Sequence, residues 1–551
     1  MSSPNLILNS DLIITKTTSL QDIFTLLLKN RHFKKSEIKD FITPPHPQTY
    51  KNSDYKINQR QFNIAFNRIN RAIKDKENIL IYGDYDVDGI TATCILWKSL
   101  ISVGAQVVPF IPDRETDGYG LKADSFFKFQ QKTNKSFSLL VTVDNGIVAG
   151  KEIKKIIATG TDVVVTDHHL KDTKALNSTA LIHSTLVSGC ALAWILAKKF
   201  DQNANLGLVA LGTVADCLPL IGINRSLVVH GLQQLRLNPN PGIKKLIQIS
   251  GIKQDDLTAS DLGFILGPRI NAVGRLSNPT DALRLLCSQT PDQASKYAAV
   301  LDAYNKDRQS LQQESLLLAE NAIKGNKNRL IFVSQNEFLP GIIGLLAGRL
   351  TEKYYLPSII ISQSEAISKG SCRSIKELNI IDVLRQCSSL LVDVGGHTTA
   401  AGFTIKTSNI PKFKKEITTI INLKLKTKKL TPSITVDTQM NLNAVSVKLA
   451  NQLDKFAPFG IDNPEPSFLF KKIKIVSKRL LGSDGQHLKL QLDDPQTKTT
   501  ENISTSAIAF KKGDLDSQLK VGDTIDVVAH LQSNTWNGTT TPQLVIKEIL
   551  L

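Results

Sequence analysis

The chain repeatedly sets carboxylates where an apolar run stops. In ILIYGDYDVDGITAT, residues 79–93, Asp84, Asp86 and Asp88 take alternate positions directly after such a run. Asp144 closes the apolar stretch of VTVDNG, Asp167, His168 and His169 close that of VVVTDHH, and Asp216 ends that of ALGTVADCLPL. Two like charges 4 Å apart repel by about 4 kcal/mol at an effective dielectric near 20. The opening D-x-D-x-D-G matches the start of a calcium loop. The match then fails: the twelfth position from Asp84 is Ile95, where that loop needs a bidentate Glu, and the motif follows a strand-like run rather than a helix. A surface turn accounts for one such acidic group but not for four. Gathered in one place, these groups need cations to neutralise them. Oxygen donors with imidazole and no thiolate suit Mn²⁺ or Mg²⁺. Five or more acids exceed what one ion requires, so two ions are expected. Two divalent ions about 3.5–4 Å apart serve in-line displacement at phosphorus, so the pattern predicts phosphodiester hydrolysis.

Gathering these groups is the task of the surrounding elements. The runs 78–83, 105–112, 138–146, 162–169 and 179–184 are continuously apolar rather than alternating, as parallel strands covered on both faces are. GITATCILWKSLISVG and VAGKEIKKIIATG supply crossover helices. The expected fold class is therefore α/β, with a doubly wound parallel sheet. In such sheets functional residues gather beyond the carboxyl ends of the strands, at a switch in strand order. Residues 1–75 are polar and mostly helical, with a break at TPPHPQ, and Phe62, Ile64, Ala65, Ile69 and Ala72 recur at helical spacing. One long connector helix is expected from Pro291 across 288–326. A second α/β region follows, and then a turn-rich, β-branched region that predicts a small OB-like barrel. The expected boundaries are 1–75, 76–287, 288–326, 327–431 and 432–551.

At 551 residues the chain is long enough for several domains. Its 67 basic and 50 acidic residues give a formal charge of +17, which suits a polyanionic partner or simply a lysine-rich surface. Six scattered cysteines form no C-x-x-C pair, so they are expected to be reduced, buried, small apolar residues. The N-terminal stretch MSSPNLILNSDLIITK lacks a basic leader with an apolar core, and no apolar run reaches membrane-spanning length. A cytoplasmic protein without membrane association is expected.

GDYDVDGITAT, VTVDNGI, TDHH and GTVADCLPL resemble, in order, the four motifs of the DHH phosphoesterase superfamily. PRINAVGRL (268–276), GSCRSI (370–375), GGHTTAAGF (395–403) and FAPFGIDNPEP (456–466) are similar to the RecJ branch of single-strand-specific exonucleases, and the resemblance covers nearly the whole chain. It implies a DHH domain and a DHH-associated domain facing each other across a groove, joined by a long helix and followed by an OB-fold. It also implies degradation of single-stranded DNA from the 5′ end with Mn²⁺ or Mg²⁺, in recombination and repair. Carried over by motif, the metal ligands are Asp84, Asp86, Asp88, Asp144, His168 and Asp216, of which Asp86 and Asp88 align best. Asp167 and His169 complete the catalytic set, the first orienting an imidazole and the second contacting the scissile phosphate. Ser371 and Arg373, with Arg114, are the expected grip on the 5′-terminal phosphate, since Arg clamps phosphate with two bonds. His397 is expected against the scissile or a neighbouring phosphate. Gly395 and Gly396 either let backbone approach phosphate or form a packing turn. Arg269, Asn271, Arg275, Asn305 and Arg308 are groove contacts or structural pairs. Trp536, in a loop of the barrel, is the expected base-stacking residue. The resemblance further implies a monomer whose partners are a single-strand-binding protein and a RecQ-type helicase. Two other readings stand beside this one. A DHH oligoribonuclease or cyclic-dinucleotide phosphodiesterase is typically shorter and lacks the barrel. A non-catalytic DNA-binding subunit would have lost the metal aspartates, which are all present here.

Overall fold

Five short apolar runs pair side by side in the computed structural model, which describes residues 4–114, 116–171, 176–482, 484–495 and 504–550. Residues 1–3 of the stretch read for a leader, and 496–503 of the barrel region, lie outside the described residues. The first sheet is wholly parallel, in the order Val107–Phe110, Ile79–Tyr82, Leu139–Val143, Asp162–Asp167, Ala180–His183. Every residue of Ile79–Tyr82 and of Leu139–Val143 is buried, which explains the unbroken apolar runs. Strand order reverses between these two strands, so their carboxyl ends frame the crevice where such sheets bind ligands. The helix Val87–Ser102 leaves from this point. Its side chains are buried on nearly all faces, because it packs against the helices Gly189–Ala197 and Leu206–Ala215 as well as the sheet.

The connector is a single 32-residue helix, Pro291–Ala322, capped by Thr290, whose hydroxyl accepts from the Gln293 amide. At 1.5 Å per residue it is about 48 Å long. It leads to a second, mixed sheet in the order Leu391–Gly396, Ala400–Lys406, Ile367–Arg373, Ser358–Ser362, Ile331–Gln335. Only the last two of these strands pair in parallel.

The chain divides into two compact units. Both sheets above belong to one, formed by His46–Leu218 and Leu227–Leu430; the other is assembled from Met1–Pro45, Pro219–Ser226 and Thr431–Leu551. In the second unit, Phe468–Leu481, His487–Asp493, Thr505–Ala509, Thr539–Leu550 and Thr524–Trp536 pair around a closed five-stranded barrel, sealed where the first two meet.

The structure departs from the expectation of one helical segment over residues 1–75. Asn5–Leu8 pairs in parallel with Ser433–Val436, and Ile13–Ile14 with Thr438–Met440. Helices Leu20–Asn30 and Lys35–Ile42 bury Ile23, Leu27, Leu28 and Phe41 in the barrel's core, whereas Gln59–Lys74 packs on the first sheet, with Arg68 paired to Asp162. Strands of four and two residues carry too little pattern to be recognised, and their partners lie over 400 positions away. The short segment Pro219–Ser226 also joins this unit. Its Arg225 is 1% exposed and donates to the carbonyls of Phe41 (2.7 Å), Phe456 (2.9 Å) and Ala457 (2.7 Å). Burial pushes its guanidinium down to about 10. The FAPFGIDNPEP motif is thus explained by packing: its carbonyls receive Arg225, and Asn463 and Pro464 receive Arg31. All six cysteines are free; Cys217 is exposed and Cys287 half-buried, contrary to the expectation that all are buried. No helix among the described residues is long and apolar enough to cross a membrane.

Candidate metal centre

The acidic runs meet at the switch point. Asp84 follows Ile79–Tyr82, Asp144 follows Leu139–Val143, and Asp167 ends Asp162–Asp167. Asp86 is the N-cap of Val87–Ser102, accepting from the Gly89 amide at 3.0 Å, and this cap sends Asp88 into the first helical turn. Asp88 is 1% exposed, and its oxygens accept from the amides of Gly189 (2.6 Å) and Cys190 (2.9 Å) at the start of Gly189–Ala197. Asp144 has φ of 62°, a left-handed conformation that turns its carboxylate off the strand axis. Gly189 permits the approach: a Cβ there would lie 2.4 Å from Asp144 Oδ1. Asp216 is the C-cap of Leu206–Ala215.

Three groups each bring one ligand atom per residue within 4.8 Å of one another: Asp84, Asp86 and Asp144; Asp88, His168 and Asp216; and Asp144, His168 and His169. His168 Nε2 lies 3.2 Å from Asp144, 3.5 Å from Asp216 and 3.8 Å from Asp88. Asp144 Oδ1 is buried without a hydrogen-bond partner, since the nearby imidazole is not aligned to donate to it. An orphaned buried oxygen, surrounded by carboxylates and a neutral imidazole nitrogen, fits a hard divalent cation. The electrostatics agree. Burial, then Asp86, pushes the Asp84 carboxyl up to about 8; burial, then Asp88 and Asp86, does the same to Asp216. Burial and the surrounding carboxylates raise Asp144 well above the usual range, and burial holds the His168 imidazole down.

Asp167 plays a different part. Burial pushes it up, but the His169 imidazole and the backbone amides of His169 and Ile147 outweigh that and hold it below the ordinary range. Its Oδ1 pairs with His169 Nδ1 at 2.8 Å, and its Oδ2 accepts from Ile147 at 2.8 Å. His169 is pushed up to about 9, chiefly by that hydrogen bond, and its Nε2 lies 3.3 Å from the Tyr119 hydroxyl.

A second constellation is cationic. Arg275 is half-buried and donates to the Gly341 carbonyl at 3.0 Å; desolvation and then the charges of Arg114, Arg308 and Arg373 push it down to about 10. Arg308 donates to Asn305 Oδ1 at 3.0 Å, while its Nε is buried with no partner. Burial and then Arg349 and Arg269 lower it. Arg373 donates to the Cys372 carbonyl at 2.9 Å, with Ser371 Oγ at 3.5 Å. Arg114 lies 5.6 Å over the Tyr85 ring. Arginines gathered around Arg275 and bonded to neutral oxygens have the chemistry that suits an anion.

The remaining expected residues divide into structural pairs and exposed groups. Arg269 is engaged by Asp302 at 3.0 Å and the Ile265 carbonyl at 2.9 Å, and Asn271 Oδ1 accepts from the Val87 amide at 3.1 Å. Asn271 thus holds the acidic loop, and Arg269 ties its own helix to the connector. Gly395, Gly396 and His397 sit exposed on the hairpin between Leu391–Gly396 and Ala400–Lys406. Gly396 has φ of 143°, and a Cβ there would meet the Ala400 carbonyl at 2.5 Å, as a packing turn requires. Trp536 is 76% exposed at the end of a strand of the barrel unit. Sequence reasoning missed Tyr85, Tyr119 and Arg349. Only the tyrosines carried a signal: aromatics beside the acidic motif and the IPDR turn.

The model for the DHH family, N-terminal domain, matches residues 78–218, that for the DHHA1 domain residues 327–423, and that for the RecJ OB domain residues 436–548. The single-stranded-DNA-specific exonuclease RecJ of Bacillus subtilis (strain 168) is 33% identical over 502 residues, covering 88% of this chain; the chain spans 62% of that relative's length. RecJ of Dickeya dadantii (strain 3937) is 30% identical, covering 87% of this chain and 89% of the relative. The crystal structure of RecJ from Thermus thermophilus in complex with Mn²⁺ superposes with a TM-score of 0.80 at 25% identity, covering 99% of this chain and 79% of that one. A structure of exonuclease RecJ bound to manganese superposes at 0.59 with 29% identity, covering 67% and 97%. The chain belongs to the RecJ family of single-stranded-DNA-specific exonucleases.

Proposed function

We propose that the chain is a metal-dependent exonuclease that hydrolyses single-stranded DNA from its 5′ end to 5′-mononucleotides, in DNA recombination and repair. The observation that carries this is the buried carboxylate–imidazole pocket at the switch point, with a carboxylate oxygen left unpartnered inside it. Asp84, Asp86, Asp88, Asp144, His168 and Asp216 are the residues that would hold two ions, Mn²⁺ or Mg²⁺. The chemistry such a pair supplies when bound is Lewis-acid polarisation of the phosphoryl oxygen and a lowered pKa for the attacking water. Asp88 is held in place by the amides of Gly189 and Cys190. Asp167 orients His169 and keeps its ring charged, so that Nε2 can donate to a phosphate oxygen. Arg114, Ser371 and Arg373 grip the 5′-terminal phosphate, and Arg275 and Arg308 neutralise its neighbours. Trp536 stacks on a base at the barrel. Single-stranded DNA is the substrate; a single-strand-binding protein and a RecQ-type helicase are the proposed partners of a cytoplasmic monomer.

The test is hydrolysis with Mn²⁺ of long 5′-labelled DNA against dinucleotides. Release of 5′-mononucleotides from the long strand supports the reading. Cleavage of dinucleotides alone would favour a small-nucleotide phosphodiesterase, and tight binding without turnover a DNA-binding subunit. Arg373→Ala is expected to lower the ratio of activity on 5′-phosphate over 5′-hydroxyl strands about tenfold, the size of one charge-assisted contact. An unchanged ratio removes Arg373 from the grip.

A further inference from the structure

Phe264 is the most exposed large hydrophobic side chain among the described residues, at 82%. Its backbone is nevertheless firmly held. It lies in a π-helical turn, Leu262–Leu266, that runs directly into the helix Gly267–Leu276. Leu262 and Leu266 on either side are fully buried, and Arg269 clamps the turn through the Ile265 carbonyl and Asp302. Such turns are rare and re-aim side chains at functional sites.

The turn borders the acidic pocket. A Cβ on Gly263 would lie 3.3 Å from Val214, and one on Gly267 would lie 3.6 Å from Ala215 and 3.9 Å from Val87. These neighbours directly precede Asp216 and separate Asp86 from Asp88. The helix then follows the acidic loop. Asn271 receives the Val87 amide, a Cβ on Gly274 would lie 2.9 Å from the Tyr85 carbonyl, and Arg275 ends the run among the arginines. Phe264 and Arg275 therefore stand at opposite ends of one rod, about 16 Å apart at 1.5 Å per residue, with the acidic loop alongside. A strand held by its 5′ phosphate at the arginine end would reach Phe264 if it followed this rod. At a stacked spacing of about 3.4 Å per nucleotide, that distance is about four or five nucleotides.

The geometry points to Phe264 as a base-stacking platform for single-stranded DNA, on the 3′ side of the scissile bond and about four or five nucleotides from the 5′ end. This rests on the exonuclease reading above. A flat apolar ring accepts any base, because every base has a π face. It finds no such face on a duplex, whose bases are already stacked and paired, so Phe264 also favours single strands.

The test measures binding of a 5′-phosphorylated 30-mer in EDTA by fluorescence anisotropy. Turnover with Mn²⁺ is then followed on that 30-mer and on a 5′-phosphorylated trinucleotide too short to reach the ring. Phe264→Ala is expected to weaken 30-mer binding and raise its KM about tenfold, the size of one base stack, with the loss confined to the long strand. Phe264→Tyr and Phe264→Trp are expected to restore it. A 30-mer abasic at its fourth and fifth positions should bind the native protein and Phe264→Ala alike. Unchanged 30-mer affinity in Phe264→Ala, as for a ring that docks another protein, or an equal loss on both lengths overturns the proposal. If binding depends on Phe264 but the native protein releases no nucleotide, the exonuclease reading falls and the platform stands.

Discussion

At the scale of the residue, the acidic pocket is a cluster of charges that the folded protein tolerates mainly by keeping protons. In the metal-free state Asp84 and Asp216 hold theirs up to about 8, through burial first and neighbouring carboxylates second. Unfolded aspartates release theirs near pH 4. Between those values the folded state binds more protons, so the cluster's contribution to stability is full below about pH 4 and lost as pH rises through about 8. Divalent cations replace those protons. The rise in Tm on adding Mn²⁺ should therefore grow between about pH 5.5 and pH 8 in scanning calorimetry. Equal shifts at both values would contradict the assignment. Asp167 differs, because it orients His169. Asp167→Asn should lower activity about 10–100-fold with DNA binding intact, as loss of an orienting carboxylate does. Asp86→Ala should lower it further, to background, with DNA affinity in EDTA retained; activity near native would exclude Asp86 from the metal site. These acids were legible because each closes an apolar run. Tyr119 carried only its place after the IPDR turn, because its approach to His169 depends on a loop meeting the end of a different strand.

At the scale of the element, the parallel strands and the connector helix announced themselves through long apolar runs and an uninterrupted helical stretch. What stayed hidden was short and non-local. Asn5–Leu8 and Ile13–Ile14 find partners more than 400 residues away, and periodicity over so few positions carries no information. Arg225 was equally silent, since nothing near it in sequence is acidic and its partners are backbone carbonyls. Yet it joins three stretches of one unit: Phe41 from the N-terminal helices, its own segment, and the 455–458 turn. Its guanidinium also lies 4.0 Å over the Phe41 ring. Removing it takes the donor from the carbonyls of buried Phe41 and of Ala457, while the Phe456 carbonyl keeps Asn463 Nδ2 at 2.8 Å, and each group left unpaired costs about 1–3 kcal/mol. Arg225→Ala should therefore destabilise this unit by about 3 kcal/mol or more, seen as a fall in the urea midpoint. Arg225→Lys, which places one point charge among several carbonyls, should recover only part of the loss. A midpoint within error of native for Arg225→Ala would show that water replaces the guanidinium at no cost.

At the scale of the whole molecule, the formal charge of +17 fitted both a nucleic-acid partner and a merely soluble surface. The fold separates the two through how its arginines are bonded. Arg114, Arg308 and Arg373 all sit close enough to press on Arg275, and the hydrogen bonds of Arg275, Arg308 and Arg373 run to neutral oxygens of Gly341, Asn305 and Cys372. Arg349 adds its charge beside Arg308. A surface evolved only for solubility disperses like charges; these five arginines, of which Arg349 also reaches Glu352 at 3.4 Å, are the proposed phosphate contacts. Each phosphate neutralised on a single strand releases condensed counterions, with a slope of about −0.7 in log K against log salt. Five contacts predict a slope of about −3.5, so affinity for a 30-mer should fall about a hundredfold between 50 and 200 mM salt. Each arginine changed to alanine should flatten the slope by about 0.7. Phe264→Ala, which removes a stack and no charge, should lower affinity at every salt concentration and leave the slope unchanged. A slope near −1 for the native protein would mean that the clustered arginines do not meet the backbone, and that the basic charge serves the surface after all.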